Sequence, residues 1–122
     1  MKNNFFKLPV GNINQNPKLK SEVVSQILYG QKFRILSKKR GWFKIKTAFD
    51  NYIGYIKDNK FNTNFKPTRK IFKLQSKIYK KINKKFILTN NYLFFGSGIA
   101  IKSQNKTFIE FEKNKWIKKK DT

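Results

Sequence analysis

Apolar side chains recur at every second position through most of the chain. Phe33 and Ile35 alternate with Lys32 and Arg34. Phe43 and Ile45 alternate with Trp42, Lys44 and Lys46, and Ile109 and Phe111 with Phe108, Glu110 and Glu112. Ile99 and Ile101 recur around Ala100. A period of two marks strands with one buried face. Clusters of Gly, Asn and Lys separate the runs at hairpin spacing. No stretch carries the period of a long amphipathic helix, so the pattern predicts an all-β chain of short strands.

An internal repeat lies under the alternation. Tyr29-Gly30 matches Phe95-Gly96 at an offset of 66, which also carries Phe33 to Ile99, Ile35 to Ile101, Trp42 to Phe108 and Ile45 to Phe111. After a shorter connection, Tyr55-Ile56 matches Trp116-Ile117 at an offset of 61. Two small β-barrels in tandem are expected. The polar stretch 58–68 should hold the boundary, because Pro67 biases Lys66 towards an extended conformation. The expected organisation is an N-terminal arm at 1–9, a first barrel at 10–61, a linker at 62–69 and a second barrel at 70–122.

Size and composition permit this. A chain of 122 residues holds one ordinary domain or two very small ones. Domains of about 60 residues bury only ~60% of their unfolded surface. A hydrophobic content of 39%, with 16% aromatics, is enough for two such cores. Charge alters the picture more. The chain has 29 Lys and Arg against 6 Asp and Glu, a net charge of +23, and only Arg34, Arg40 and Arg69 are arginines. A lysine-rich set with much Asn, Ile and Phe fits both an AT-rich genome and selection for polyanions. Either way, the field attracts nucleic acid, anionic lipid and acidic polymers.

Cysteine and histidine are both absent. That excludes disulfides and thiolate metal sites, and it removes the base of any Cys-His or Ser-His-Asp site within the chain. No metal or other cofactor is expected. The N-terminus lacks the run of about 7–15 apolar residues that a signal peptide needs. The longest apolar stretch, 92–101, is interrupted by Gly96, Ser97 and Gly98 and is too short to span a membrane. A cytoplasmic, soluble protein without a membrane span is expected.

Few residues suggest chemistry. Glu110 and Glu112 share a strand face and are read as a solvated pair rather than a two-carboxylate site. Gly96-Ser97-Gly98 is read as a tight turn, because the helix of a phosphate loop is missing. If Phe43 and Ile45 point inward, Trp42 points outward, and Phe108 takes that position in the second unit. Tyr29, Tyr52 and Tyr55 bracket the same sheet ends, so the surface is flat and amphipathic and suits peptides, sugars or bases. Packing between units is the other reading for Trp42, and Trp116 is assigned to core. The basic runs Lys38-Lys39-Arg40, Lys80-Lys81, Lys84-Lys85 and Lys118-Lys119-Lys120 are read as solvated loops that could also hold single-stranded nucleic acid.

Ser21-Glu22-Val23-Val24-Ser25-Gln26, the Gly30 turn, Gly41-Trp42 and Tyr52-Ile53-Gly54-Tyr55-Ile56 form an ordered set. Across 10–61 it resembles a bacterial SH3 (SH3b) domain. The second half, from Phe65-Lys66-Pro67-Thr68 to Lys115-Trp116-Ile117, looks like a degenerate second copy. Such a tandem is similar to the part that precedes the catalytic domain of NlpC/P60-type cysteine peptidases (dipeptidyl-peptidase VI-like). Those enzymes cut murein (peptidoglycan, the cell-wall polymer) peptides between D-glutamate and a diamino acid. The resemblance implies a non-catalytic recognition module and not a peptidase. Its partners would be an NlpC/P60 catalytic domain, on a separate chain or a longer product, and a murein peptide. In that family the first SH3 unit helps select a free peptide N-terminus. By motif position, Glu22 and Tyr52 are the implied partners of the ammonium group, beside Trp42 and Tyr55. The alternative is a basic small barrel that binds nucleic acid or another polyanion.

Overall fold

A computed structural model describes residues 3–57, 61–62 and 65–122. Its elements are almost all strands, and no α-helix occurs among the described residues. The fold is all-β and SH3-like. The chain divides into two compact units, 1–65 and 66–122.

The first unit has seven strands: β1 (Asn4–Phe6), β2 (Val10–Asn14), β3 (Val23–Leu28), β4 (Lys32–Lys39), β5 (Trp42–Thr47), β6 (Ile53–Lys57) and β7 (Phe61–Asn62). They form one sheet in the order β3-β2-β6-β5-β4-β1-β7. Alternation sends Phe33, Phe43, Ile45 and Ile56 inward, where they meet Phe6, Ile13 and Ile27 in a single core. Gly11 and Gly54 are small because of packing. A Cβ at Gly11 would run into the Phe6 ring, and one at Gly54 into the Ile13 side chain.

The second unit has β8 (Arg69–Lys70), β9 (Gln75–Ile82), β10 (Lys85–Phe94), β11 (Gly98–Ile99), β12 (Ser103–Gln104), β13 (Phe108–Glu112) and β14 (Lys115–Lys118), followed by a 3-10 turn at Lys119–Asp121. One sheet runs β10-β9-β14-β13-β12, and a second pairs β11 with β8.

The repeat read from the sequence reappears in the backbone register. Phe43 faces Ile56 in the first unit, and Ile109 faces Ile117 in the second. Asn14 faces Tyr55, and Tyr79 faces Trp116. Asn4 faces Phe33, and Arg69 faces Ile99. Gly30 and Gly96 sit in matching turns with positive φ, +76° and +92°. Gly30 N–H donates to the Phe6 carbonyl at 2.7 Å, and Gly96 N–H to the Ile71 carbonyl at 2.8 Å. Gly96-Ser97 therefore belongs to the turn expected, closed by the Ser97 N–H donating to the Phe94 carbonyl at 2.9 Å, whereas Gly98 already opens β11.

The expected arm and linker need correction. Asn4–Phe6 is a sheet strand paired with β4, and Phe6 is fully buried. Phe5 and Phe6 are adjacent, so this segment shows no alternation from which a strand could be read. Phe65 belongs to the first unit and is buried there, whereas Arg69–Lys70 is already a strand of the second. Residues 1–2, 58–60 and 63–64, which fall in the expected arm, first barrel and linker, lie outside the described residues.

Candidate functional site

Trp42, Lys44 and Lys46 alternate with the buried Phe43 and Ile45, so they line the outer face of β5. Sheet register sets their neighbours. Trp42 lies opposite Lys39 on one side and Lys57 on the other. Lys44 lies opposite Tyr55, and Tyr55 opposite Asn14. Trp42 and Tyr55 are thus diagonal neighbours on one face, about 7–8 Å apart and within reach of a shared ligand. Both are half-buried. Ile53, at the start of β6, and Val23, on the edge strand β3, add exposed apolar surface. The result is an aromatic pair ringed by Lys39, Lys44 and Lys57.

Glu22 is exposed just before β3, and its carbonyl accepts the Gln15 N–H at 2.9 Å. The next residue, Val23, pairs with Asn14, the strand neighbour of Tyr55. Glu22 therefore lies one residue beyond the Val23–Asn14–Tyr55 row of paired positions.

Tyr52 is placed differently. It packs against the core cluster, and its ring lies on the inner side of the sheet beside Gly54. Its backbone closes the hairpin after β5. Tyr52 N–H donates to Thr47 Oγ1 at 3.0 Å and to Asp50 Oδ1 at 3.4 Å, and the Thr47 hydroxyl donates to the same carboxylate. Among the described residues no hydrogen bond joins Glu22 to Tyr52. Tyr29, expected near this surface, is buried at 2% exposure. Its hydroxyl takes the Lys7 Nζ at 2.6 Å, and the Phe65 ring meets it edge-on.

The second unit closes the same face with its own side chains. Phe108 stands at the position of Trp42, Trp116 at that of Tyr55, and Tyr79 at that of Asn14. Phe86 stacks on Phe108 with centroids 3.9 Å apart and meets Trp116 edge-on at 5.1 Å. Tyr79 meets Phe108 edge-on at 5.1 Å. Trp116 is buried as expected, but beneath Phe86 on the outer side, with Ile117 filling the inner core. Among the described residues no aromatic ring stacks on Trp42.

The carboxylate pair has structural duties. Glu110 accepts from Ser103 Oγ and from the Asn114 N–H, each at 2.8 Å, and Glu112 pairs with Lys115 at 3.3 Å. Partial burial pushes Glu110 upward. The Asn114 and Ser103 hydrogen bonds, with Lys102 and Lys81, outweigh it and hold the carboxyl below its ordinary value. Among the described residues no group of three or more acidic side chains could hold a metal ion.

Two cavities went unread in the sequence. One of about 240 Å³ is lined by Gln26, Gln31, Lys32, Thr47, Phe49 and Asp50. Phe49, at 86% exposure, marks its rim. The other, about 440 Å³, is lined by Lys106, Thr107, Lys118, Lys119 and Lys120. The Lys118–Lys120 run was legible as charge, but its convergence with Lys106 depends on the Lys119 N–H bonding the Thr107 carbonyl at 2.8 Å.

Residues 14–61 match the family model described as the bacterial dipeptidyl-peptidase Sh3 domain. The chain is also similar to the crystal structure of an NlpC/P60 family protein from Bacillus cereus, with a TM-score of 0.72 and 13% identity over 98% of this chain. It spans 55% of that chain's length. At that identity the likeness establishes the fold. No curated protein matches the sequence. The bacterial SH3 resemblance holds for residues 14–61. The match shows a bacterial SH3-type domain over those residues. Among the described residues no helix is long and apolar enough to cross a membrane.

Proposed function

We propose that this chain is a recognition module that positions a murein peptide for an NlpC/P60-type catalytic domain, using the Trp42–Tyr55 face of its first unit. The observation that carries the reading is the contrast between the units. The second covers this face with Phe86, and the first leaves Trp42 without a stacking ring among the described residues. A half-buried Trp beside a Tyr is a rigid, amphipathic platform. Lys39, Lys44 and Lys57 suit the carboxylates of a D-glutamyl peptide, and Glu22, just before β3, suits a free ammonium group. Without Cys or His, the module contributes binding, and the chemistry belongs to its partner.

The test is titration of L-Ala-γ-D-Glu-diaminopimelate into the isotopically labelled chain, followed by amide shifts. Shifts should centre on β5, β6 and residue 22. Trp42→Ala should weaken binding about tenfold or more, and N-acetylation of the peptide should weaken it in the wild type more than in Glu22→Gln. No shift on this face at millimolar peptide would end the proposal.

A second reading has its own observation. The 440 Å³ cavity lined by Lys106, Lys118, Lys119 and Lys120, on a chain of charge +23, suits a polyanion. Oligo-dT binding should then fall steeply with salt, and Trp42→Ala should cost about 1–3 kcal/mol if bases stack there. Binding that vanishes at physiological salt with no Trp42 effect would leave only nonspecific charge.

A further inference from the structure

The repeat reveals a seat that is filled in one unit and bare in the other. In the first unit, β7 pairs with the outer edge of β1, with Phe6 opposite Phe61 and Phe5 opposite Asn62. The chain then lays Phe65 over the corner where Tyr29 sits. Phe65 meets Tyr29 at 6.1 Å and Phe5 at 5.6 Å, and Lys7 Nζ lies 3.9 Å from the Phe65 ring centre. Tyr29 is left only 2% exposed.

The second unit builds the same corner. Tyr29 N–H donates to the Pro9 carbonyl at 3.4 Å, and Phe95 N–H donates to the Leu74 carbonyl at 3.2 Å. Phe95 thus stands for Tyr29, Leu74 for Pro9 and Phe72 for Lys7. Here no ring among the described residues covers the corner. Phe95 is 59% exposed, Phe72 62% and Leu74 81%. The equivalent of β1 is β8, whose only strand partner among the described residues is β11. Among the described residues, the edge that β7 occupies in the first unit has no strand in the second.

Charge says what fits there. Arg69, Lys70, Lys73, Lys119 and Lys120 surround the corner, since Phe72 N–H donates to the Asp121 carbonyl at 3.1 Å. Asp121, an acid beside the corner, is buried and holds Ser76 Oγ at 2.7 Å and Lys73 at 3.9 Å. A second copy of a chain carrying +23 would be repelled.

We propose that the β8 edge and the Phe72–Leu74–Phe95 corner form a docking site for an extended, acidic segment of a partner polypeptide. The segment adds a strand to β8 and seats an aromatic side chain on Phe95, as Phe65 sits on Tyr29. Main-chain bonds to a sheet edge supply affinity, and the aromatic seat supplies selectivity. The site lies in the second unit and does not depend on the Trp42–Tyr55 face, so the two readings fail separately.

The probe is a synthetic peptide, acetyl-DDFNTNFDD-amide, which carries the sequence of residues 61–65 between aspartates. Titrated into the labelled full chain at 0.15 M salt, it should shift amides at 69–72 and 94–96. Phe95→Ser, Phe72→Ser and the peptide with its second Phe changed to Ser should each weaken binding about tenfold. The altered peptide leaves the protein untouched, so the result stands even if a protein variant is impaired. Three outcomes overturn the proposal: shifts scattered over the lysine loops and indifferent to the serine changes; shifts at Phe5, Tyr29 and Phe65, meaning displacement of the resident segment; or self-association by sedimentation that Phe95→Ser abolishes, which makes a second copy the occupant.

Discussion

Apart from β7, the two units pair corresponding strands in matching register, and they finish the outer face of the sheet in opposite ways. The cause is the hairpin between their second and third strands. In the first unit, residues 15–22 form a self-bonded loop, with Asn16 N–H on Ser21 Oγ at 2.8 Å and Ser21 N–H on the Lys18 carbonyl at 3.0 Å. In the second, β9 and β10 are eight and ten residues long and join through Asn83-Lys84. Both turn residues have positive φ, +48° and +65°, the geometry of a type I′ hairpin. The longer ribbon carries Phe86 onto Phe108 and Trp116. Lys81 N–H on Asn114 Oδ1 at 2.7 Å ties it down. One extended hairpin thus turns a ligand-sized surface into additional core, and the unit without it keeps the surface open.

The sharpest way to break this comparison is to truncate the same register position in both units. Trp116→Ala removes a buried ring packed under Phe86 and should cost about 3–5 kcal/mol. Tyr55→Ala, at the open face, should cost about 1 kcal/mol. Chemical denaturation followed by amide signals from each unit separates the two. Equal losses would mean that the first unit's face is also closed.

The inner face offers a second contrast. Phe6 with Gly11 occupies in the first unit the place that Ile71 with Ser76 takes in the second. A large ring needs the glycine, and a smaller side chain admits a serine. Gly11→Ser alone should therefore destabilise by about 1–3 kcal/mol through overpacking. Phe6→Ile alone should cost about as much through a cavity. The double variant should cost less than the sum, with a coupling of at least about 0.5 kcal/mol in a double-mutant cycle. Strict additivity would show that the two positions do not share this space.

How much of this was legible in the sequence follows from range. Alternation exposed the strands, and the Gly30/Gly96 turn with its flanking apolar residues exposed the repeat, because both are local. Trp42 and Tyr55 could be placed on the outer face for the same reason. Tyr52 could not be separated from them by type. Its inward position follows from parity with Gly54 and Ile56, which a clear strand start would have given. Tyr29 was misplaced because its cover, Lys7 and Phe65, comes from segments read as an arm and a linker. The closure of the second face was hidden in Asn83-Lys84, a turn signal weaker than Asn-Gly. The docking corner became visible only when the two units' hydrogen bonds could be matched.

The hairpin after β5 and its counterpart after β13 supply a third contrast. Asp50 accepts from the Thr47 hydroxyl and the Tyr52 N–H across the longer turn of the first unit. Asp50→Ala should cost about 1–2 kcal/mol by leaving those donors to solvent. It should also loosen the rim of the Phe49 cavity, seen as faster amide exchange at residues 48–52. Exchange unchanged from the wild type would assign the turn's order to its backbone alone.

The smallest expected effect concerns Glu110, which holds the shorter turn of the second unit through the Asn114 N–H. Its carboxyl is held below the ordinary value when folded, so the folded state favours the charged form. The stabilisation is present above the unfolded-state value and is lost as pH falls through the folded one. The group is only half-buried among lysines, so the gain is modest and screened by salt. Glu110→Gln should lower the melting temperature of the second unit by about 2 °C at pH 7. The gap to the wild type should narrow as pH falls through the folded-state value of Glu110, where its carboxyl takes up a proton. A gap that stays constant throughout the acid titration would mean that the glutamine has disturbed the Ser103 and Asn114 contacts themselves, and that the charge contributes nothing.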